Sequence, residues 1–126
     1  MAILETVPGI TYDQLFGGPE TEVLTKNITI ASGAGKLLRG ALLGVLTAGG
    51  KAKAVTKGAT DGTQIANCIL AEDVDATSAD TVATVYISGR FNREAILVPS
   101  GDTAAAHAEE LRNGGIYLTS LHYIKQ

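Results

Sequence analysis

The stretch Thr81–Phe91, TVATVYISGRF, alternates in character from one residue to the next. A repeat of two residues indicates a β-strand, because successive side chains point to opposite faces. Four side chains are predicted to share one face: Ala83, Val85, Ile87 and Phe91. The other face is predicted to carry Thr84, Tyr86, Ser88 and Arg90. This segment therefore predicts a sheet with two different faces.

Two segments upstream also read as strands. Val23–Ile30 shows the same two-residue repeat. Leu37–Thr47 is almost continuously apolar, which is typical of a strand covered on both faces. Gly40 and Gly44 within it mark bends or points of close approach.

The middle of the chain predicts short strands joined by tight turns. Residues 48–50, Ala-Gly-Gly, predict a hairpin turn into Lys51–Lys57, whose lysines indicate a half-exposed or edge strand. Residues 60–63 form another turn, and Ile65–Ala71 another strand. Glu72–Asp80 reads as a polar, acidic loop.

One helix is predicted, near the end of the chain. Asp102 or Thr103 can cap it, Ala104–Arg112 are mostly good helix formers, and Gly114-Gly115 end it. A final strand is expected at Ile116–Ile124. The fold class is therefore mainly β with one short helix (α+β), in a compact β-sandwich or barrel-like domain.

Composition limits the classes of function. A chain of 126 residues corresponds to one domain, and with 5% aromatic residues its core must be mainly Val, Ile, Leu and Ala. Such side chains bury little area each, so we expect an oligomer. The net charge is −3 and no basic run occurs, which argues against nucleic-acid and membrane partners.

The single cysteine, Cys68, lies in an apolar run and is predicted to be a buried structural thiol. The opening residues lack the basic and apolar regions of a signal peptide. Both observations favour synthesis in a reducing compartment.

Residues 1–20 differ from the rest, and we expect them to form a flexible N-terminal arm on a domain spanning residues 21–126. Pro8-Gly9 and residues 17–19 interrupt regular structure near both ends of the arm. Between them lie large apolar side chains that need a place to be buried: Ile10, Tyr12, Leu15 and Phe16. The arm either folds back on its own domain or docks on a partner, and we favour docking.

No catalytic, cofactor-binding or metal-binding pattern is complete, so no enzyme activity and no cofactor are predicted. Residues 33–36, Gly-Ala-Gly-Lys, lack the Gly and the Ser or Thr of a phosphate loop. The acidic segment that contains Asp73 and Asp75 lacks the glycine and a ligand of a calcium loop, although weak cation binding stays possible there. His107 and His122 have no partner at a spacing that singles out a metal site.

A series of turn and core motifs resembles the lambda-like head decoration proteins of tailed phages. The motifs are Leu42-Leu43-Gly44-Val45-Leu46-Thr47, Thr60-Asp61-Gly62-Thr63, Ile69-Leu70-Ala71-Glu72-Asp73-Val74-Asp75-Ala76 and Val85-Tyr86-Ile87-Ser88-Gly89-Arg90-Phe91-Asn92. The resemblance covers about Leu38 to Leu118, and its specificity lies in the order and spacing of the motifs. The arm lies outside it.

This resemblance implies a β-tulip type of domain that forms a homotrimer on the exterior of the virion. Its partner would be the major capsid protein, which it would bind at three-fold positions of the expanded shell after synthesis in the host cytoplasm. There it would stabilise the shell against internal DNA pressure. The alternatives are another β-rich phage module for tail or surface binding, and a small hydrolase with a non-standard site.

Overall fold

A computed structural model describes residues 23–119 of the chain. Within this range the strands are β1 (Leu24–Ile30), β2 (Gly35–Leu37), β3 (Leu42–Val45), β4 (Ala52–Ala54), β5 (Cys68–Leu70), β6 (Val74–Ala76), β7 (Thr81–Asn92) and β8 (Ile116–Thr119). The α-helix α1 spans Ala108–Gly114 and follows a 3₁₀ turn at Ala105–His107.

Five strands close into a barrel. Their order is β1-β4-β3-β5-β7, and β7 pairs back onto β1 in antiparallel register. β8 continues beside the second half of β7 as a parallel neighbour, from Gly89 paired with Ile116 to Asn92 paired with Thr119. β2 and β6 form a separate two-stranded sheet. The prediction of a mainly β, barrel-like fold with one short helix is confirmed.

Strands β3 and β5 of the barrel are buried on both faces, so side chains that alternate between the two sides enter two different core clusters. One core cluster draws on every barrel strand and includes Ile30, Leu43, Leu70 and Val85. The other lies on the opposite face and is covered by α1 and β8; it includes Leu42, Ile69, Phe91, Leu111 and Ile116. This explains the continuous apolar sequence of β3, where burial on both faces was predicted.

The glycines of the apolar run have the two predicted uses. Gly40, at φ 97°, turns the chain before β3, so the predicted strand 37–47 is divided into β2, a turn and β3. A Cβ on Gly44 would lie 2.6 Å from Thr63 Cα, which shows why this strand approaches the 60–63 turn without a side chain.

Other boundaries differ from the sequence prediction. β4 is partly buried, in agreement with the half-exposed alternative, but it is not an edge strand, since it pairs with β3 and, through Ala52, with β1. The acidic loop contains β6, which pairs with β2. The prediction that Phe91 shares a face with Val85 is wrong. Phe91 packs with Tyr86, at a ring centroid distance of 5.3 Å, and Val85 lies in the other core cluster. Gly89, at φ 135°, lies between them and interrupts the strict alternation of β7.

The predicted helix begins and ends near the expected residues. Thr103 Oγ1 accepts a hydrogen bond from the Ala106 N–H at 3.2 Å, and Gly115 ends the helix in the left-handed conformation at φ 102°. The first turn is 3₁₀ in form, so α1 itself is short. The predicted strand after it is described only as β8; residues beyond Thr119 lie outside the described part.

Candidate functional site

The predicted contact residues Ile10, Tyr12, Leu15 and Phe16 lie outside the described residues, and so does His122. Their role in binding stays a prediction. The described structure shows instead where the segment carrying them joins the barrel.

The chain enters the barrel at its surface. Val23 and Leu24 are exposed apolar residues, and the first half of β1 remains exposed although it pairs with β7. Val23 Cγ2 lies only 3.1 Å from the position that a Cβ on Gly89 would occupy. The absence of a side chain at Gly89 therefore allows the entering segment to pack closely on β7.

An exposed apolar pair lies at the turn before β3. Leu38 is 57% exposed and Leu97 is 45% exposed. Backbone hydrogen bonds bring their segments together: Leu97 N–H donates to Gly40 O at 3.0 Å, and Ala41 N–H donates to Leu38 O at 3.0 Å. Exposed side chains of this kind are suited to contact with another protein surface.

Arg39 holds this turn against the barrel wall. Its Nη1 donates to Ala71 O at 2.9 Å and to the Tyr86 hydroxyl at 2.7 Å, while its backbone N–H donates to Asp73 Oδ1 at 2.8 Å. The guanidinium also lies 5.5 Å from the centre of the Tyr86 ring. The turn that carries Leu38 is thus anchored to β7.

The acidic segment forms turns rather than an open ligand shell. Asp75 Oδ1 accepts from the Thr77 hydroxyl at 2.6 Å and from the Thr77 N–H at 3.1 Å, and these bonds lower the pKa of Asp75. Asp80 accepts from Lys51 Nζ at 2.6 Å and from the Ser32 N–H at 2.8 Å, which lowers its pKa as well. Between residues 23 and 119 no group of three metal-ligating side chains comes together.

His107 has partners that the sequence analysis missed. The buried ring lies between two carboxylates, with Nδ1 at 2.6 Å from Glu110 Oε1 and Nε2 at 2.8 Å from Asp102 Oδ2. Glu110 Oε1 also accepts from the Ala66 N–H at 2.8 Å, which joins α1 to the segment before β5. The spacing of three residues between His107 and Glu110 on a helix was a usable signal, since such residues are neighbours on its surface.

Cys68 is fully buried in the barrel, as predicted. Burial raises the pKa of its thiol to about 12, so the reactive thiolate is suppressed near neutral pH. In the described range, no helix is both long and apolar enough to cross a membrane.

Comparison with known protein families gives a match over most of the chain. The family model of the bacteriophage lambda head decoration protein D matches residues 5–116. That range includes most of the arm, the whole barrel and α1. No curated protein matches the chain by sequence. The chain therefore belongs to the family of the bacteriophage lambda head decoration protein D.

Proposed function

We propose that this protein binds the exterior of an expanded phage capsid as a homotrimer at three-fold positions and stabilises the shell against internal DNA pressure. The observation that carries the proposal is the family match over residues 5–116. Its role is structural, and it acts on the major capsid protein by contact.

Two features of the barrel support a role in contact. The domain has exposed apolar side chains, including Leu38, Ile65, Val82 and Leu97. Its core consists mainly of small and medium aliphatic side chains, so burying further surface between subunits would add stability.

The N-terminal arm, residues 1–20, is the proposed capsid-binding segment of the protein. An extended arm can add to an exposed capsid strand, where backbone hydrogen bonds contribute affinity and side chains contribute specificity. Twenty extended residues reach up to about 65 Å, enough to contact a neighbouring subunit.

The energetics favour a short, anchored contact within the arm. Ordering seven residues, 10–16, costs about 7–14 kcal/mol at roughly 1–2 kcal/mol each. Burying Ile10, Tyr12, Leu15 and Phe16 returns about 6–12 kcal/mol, at roughly 1.5–3 kcal/mol for each side chain. The two ranges nearly offset each other, so backbone pairing with the capsid must supply the surplus.

Truncation tests the arm directly. Deleting residues 2–20 leaves every residue of β1 in place, so we expect a folded domain that no longer co-sediments with expanded capsids. Circular dichroism and a mass measurement on the truncated protein check its fold and its oligomeric state. Full occupancy of capsids by the truncated protein would show that the arm is not the binding segment.

Point variants test the anchors. Phe16→Ser should weaken capsid binding about 10- to 100-fold, because about 1.5–3 kcal/mol of apolar burial is lost. Gln14→Ser is the matched control, since it changes a polar residue of the same arm, and its binding should stay within about twofold. Equal losses for both variants would contradict the assignment of anchors.

Imaging decorated virions tests the location. Density at the three-fold positions of the shell is expected, together with a trimer mass for the free protein. Density on the tail would instead support the alternative of a tail or adhesion module.

A further inference from the structure

The His107 cluster has a protonation state that follows from its geometry. Both ring nitrogens lie within 2.8 Å of a carboxylate oxygen, and an ionised carboxylate can only accept hydrogen bonds. A neutral imidazole has one N–H and one bare nitrogen, so it could donate to only one of the two carboxylates. When both carboxylates are ionised, hydrogen bonds at both ring nitrogens therefore require the charged imidazolium.

The cluster joins the C-terminal unit of the fold to the barrel. Glu110 lies on α1, and its Oε1 accepts from both His107 and the backbone of Ala66. Leu111 on α1 and Ile116 on β8 are buried in the core cluster that these two elements cover. When His107 stabilises the Glu110 carboxylate, it therefore also stabilises one of the contacts between this unit and the barrel.

Loss of the proton reverses this effect. The neutral ring has a single N–H, so it can donate to only one of the two carboxylates, Asp102 or Glu110. The other carboxylate, which is buried or partly buried, would face the lone pair of the bare ring nitrogen. A carboxylate without its donor recovers solvation most easily by moving toward water, and Glu110, whose side chain is 33% exposed, would then give up its hydrogen bond from the Ala66 N–H, which links α1 to the barrel.

We infer that His107 is a proton-operated lock: in its charged form it strengthens the attachment of the α1–β8 unit to the barrel, and its deprotonation as the pH rises loosens that attachment. The lock is a property of the folded domain and does not depend on capsid binding.

The direction of the pH effect follows from the surrounding charges. Burial by itself lowers the pKa of His107, but the hydrogen bonds and charges of Asp102 and Glu110 outweigh it and raise that pKa above its usual value. Stability from a raised histidine pKa is fully present below about pH 6.5 and is lost as the pH rises through the folded-state pKa.

The other charges near the ring do not alter this direction. Lys57 is the cation that faces Asp102, and its Nζ lies 3.5 Å from Gly101 O. It stabilises the Asp102 carboxylate in its ionised form, and that carboxylate is the form that binds the imidazolium. Glu109, the neighbour of Glu110, faces Arg112 and is 81% exposed.

Nuclear magnetic resonance of the full-length protein tests the lock. In a His122→Gln background only His107 reports, and we expect its titration midpoint above 6.5, with both ring nitrogens protonated below that midpoint. Glu110→Gln should lower this midpoint by at least about 0.5 pH unit, whereas the matched control Glu109→Gln should change it by less than about 0.2.

Hydrogen exchange tests whether the ring controls the C-terminal unit. Protection factors of α1 amides such as Leu111 should fall at least about tenfold as the pH rises through the His107 midpoint, while Val85 in the barrel stays protected. Both amides are in the same sample, so the pH dependence that their intrinsic exchange rates share cancels in their ratio.

Three results would overturn the inference. They are a midpoint at or below the ordinary value for histidine, equal shifts in Glu109→Gln and Glu110→Gln, and unchanged α1 protection across the midpoint. The first and third need no cluster variant, so they remain decisive even if Glu110→Gln fails to fold.

Discussion

Replacing Gly44 by alanine is the sharpest test of how the barrel is packed. Gly44 lies on β3, and a Cβ there would meet backbone atoms of Thr63: Cα at 2.6 Å, O at 2.7 Å and C at 2.9 Å. These atoms cannot move as the end of a flexible side chain could. Thr63 is itself held, because its hydroxyl donates to Asp61 Oδ1 at 2.6 Å and its carbonyl accepts from the Thr56 N–H at 2.8 Å.

The expected loss in the free energy of unfolding follows from the contact with the Thr63 backbone and from the hydrogen bonds that hold Thr63. Inserting a methyl group into a packed site costs about 1–3 kcal/mol, and the tethered turn places Gly44→Ala near the upper end. For a domain of this size, a loss of about 3 kcal/mol lowers the melting temperature by about 10 °C.

The assay is urea unfolding followed by circular dichroism, at one protein concentration because assembly would add to apparent stability. Gly114→Ala is the control with the opposite sign: a Cβ at Gly114 meets nothing within 4 Å, and alanine in the helix should add up to about 1 kcal/mol. A Gly44→Ala variant within about 0.5 kcal/mol of the parent would refute the claimed close approach.

Three further predictions concern the core, the thiol and acid pH. Leu111→Ala should cost about 2–5 kcal/mol in chemical unfolding because its side chain is buried under the helix, whereas the exposed Leu38→Ala should change stability by less than about 0.5 kcal/mol. Cys68 should resist a thiol reagent in the native protein and react after urea unfolding; labelling at equal rates would show that it is accessible. Burial by itself raises the pKa of Asp102, but hydrogen bonds from His107 and the Thr103 N–H outweigh it and lower that pKa. The Asp102 carboxylate should therefore stabilise the fold above about pH 4, and this effect should decline as the pH falls further. Acid titration of unfolding should therefore be less steep for Asp102→Asn than for the parent.

Sequence pattern predicted the apolar residues of the arm as a contact site, because large side chains between chain breakers need a burial site, and that site stays a prediction. The His107 pairing was missed, since its second partner depends on how residues 102–107 turn and the ring is buried by packing from elsewhere. Adjacent Glu109 and Glu110 look equivalent in sequence, yet only Glu110 reaches the ring and the Ala66 N–H.

From the sequence alone, local patterns determined the strand at residues 81–91, the turns at residues 48–50 and 60–63, and the end of the helix at Gly115. These features depend on alternation, on glycine conformations and on hydrogen bonds between near neighbours, which are all written in short stretches of chain. Only the tertiary structure decided that β1 pairs with β7 to close the barrel, that β4 lies inside the sheet, and that Phe91 packs with Tyr86. Those choices depend on burial and pairing between segments far apart in sequence, and many pairings satisfy the same local pattern.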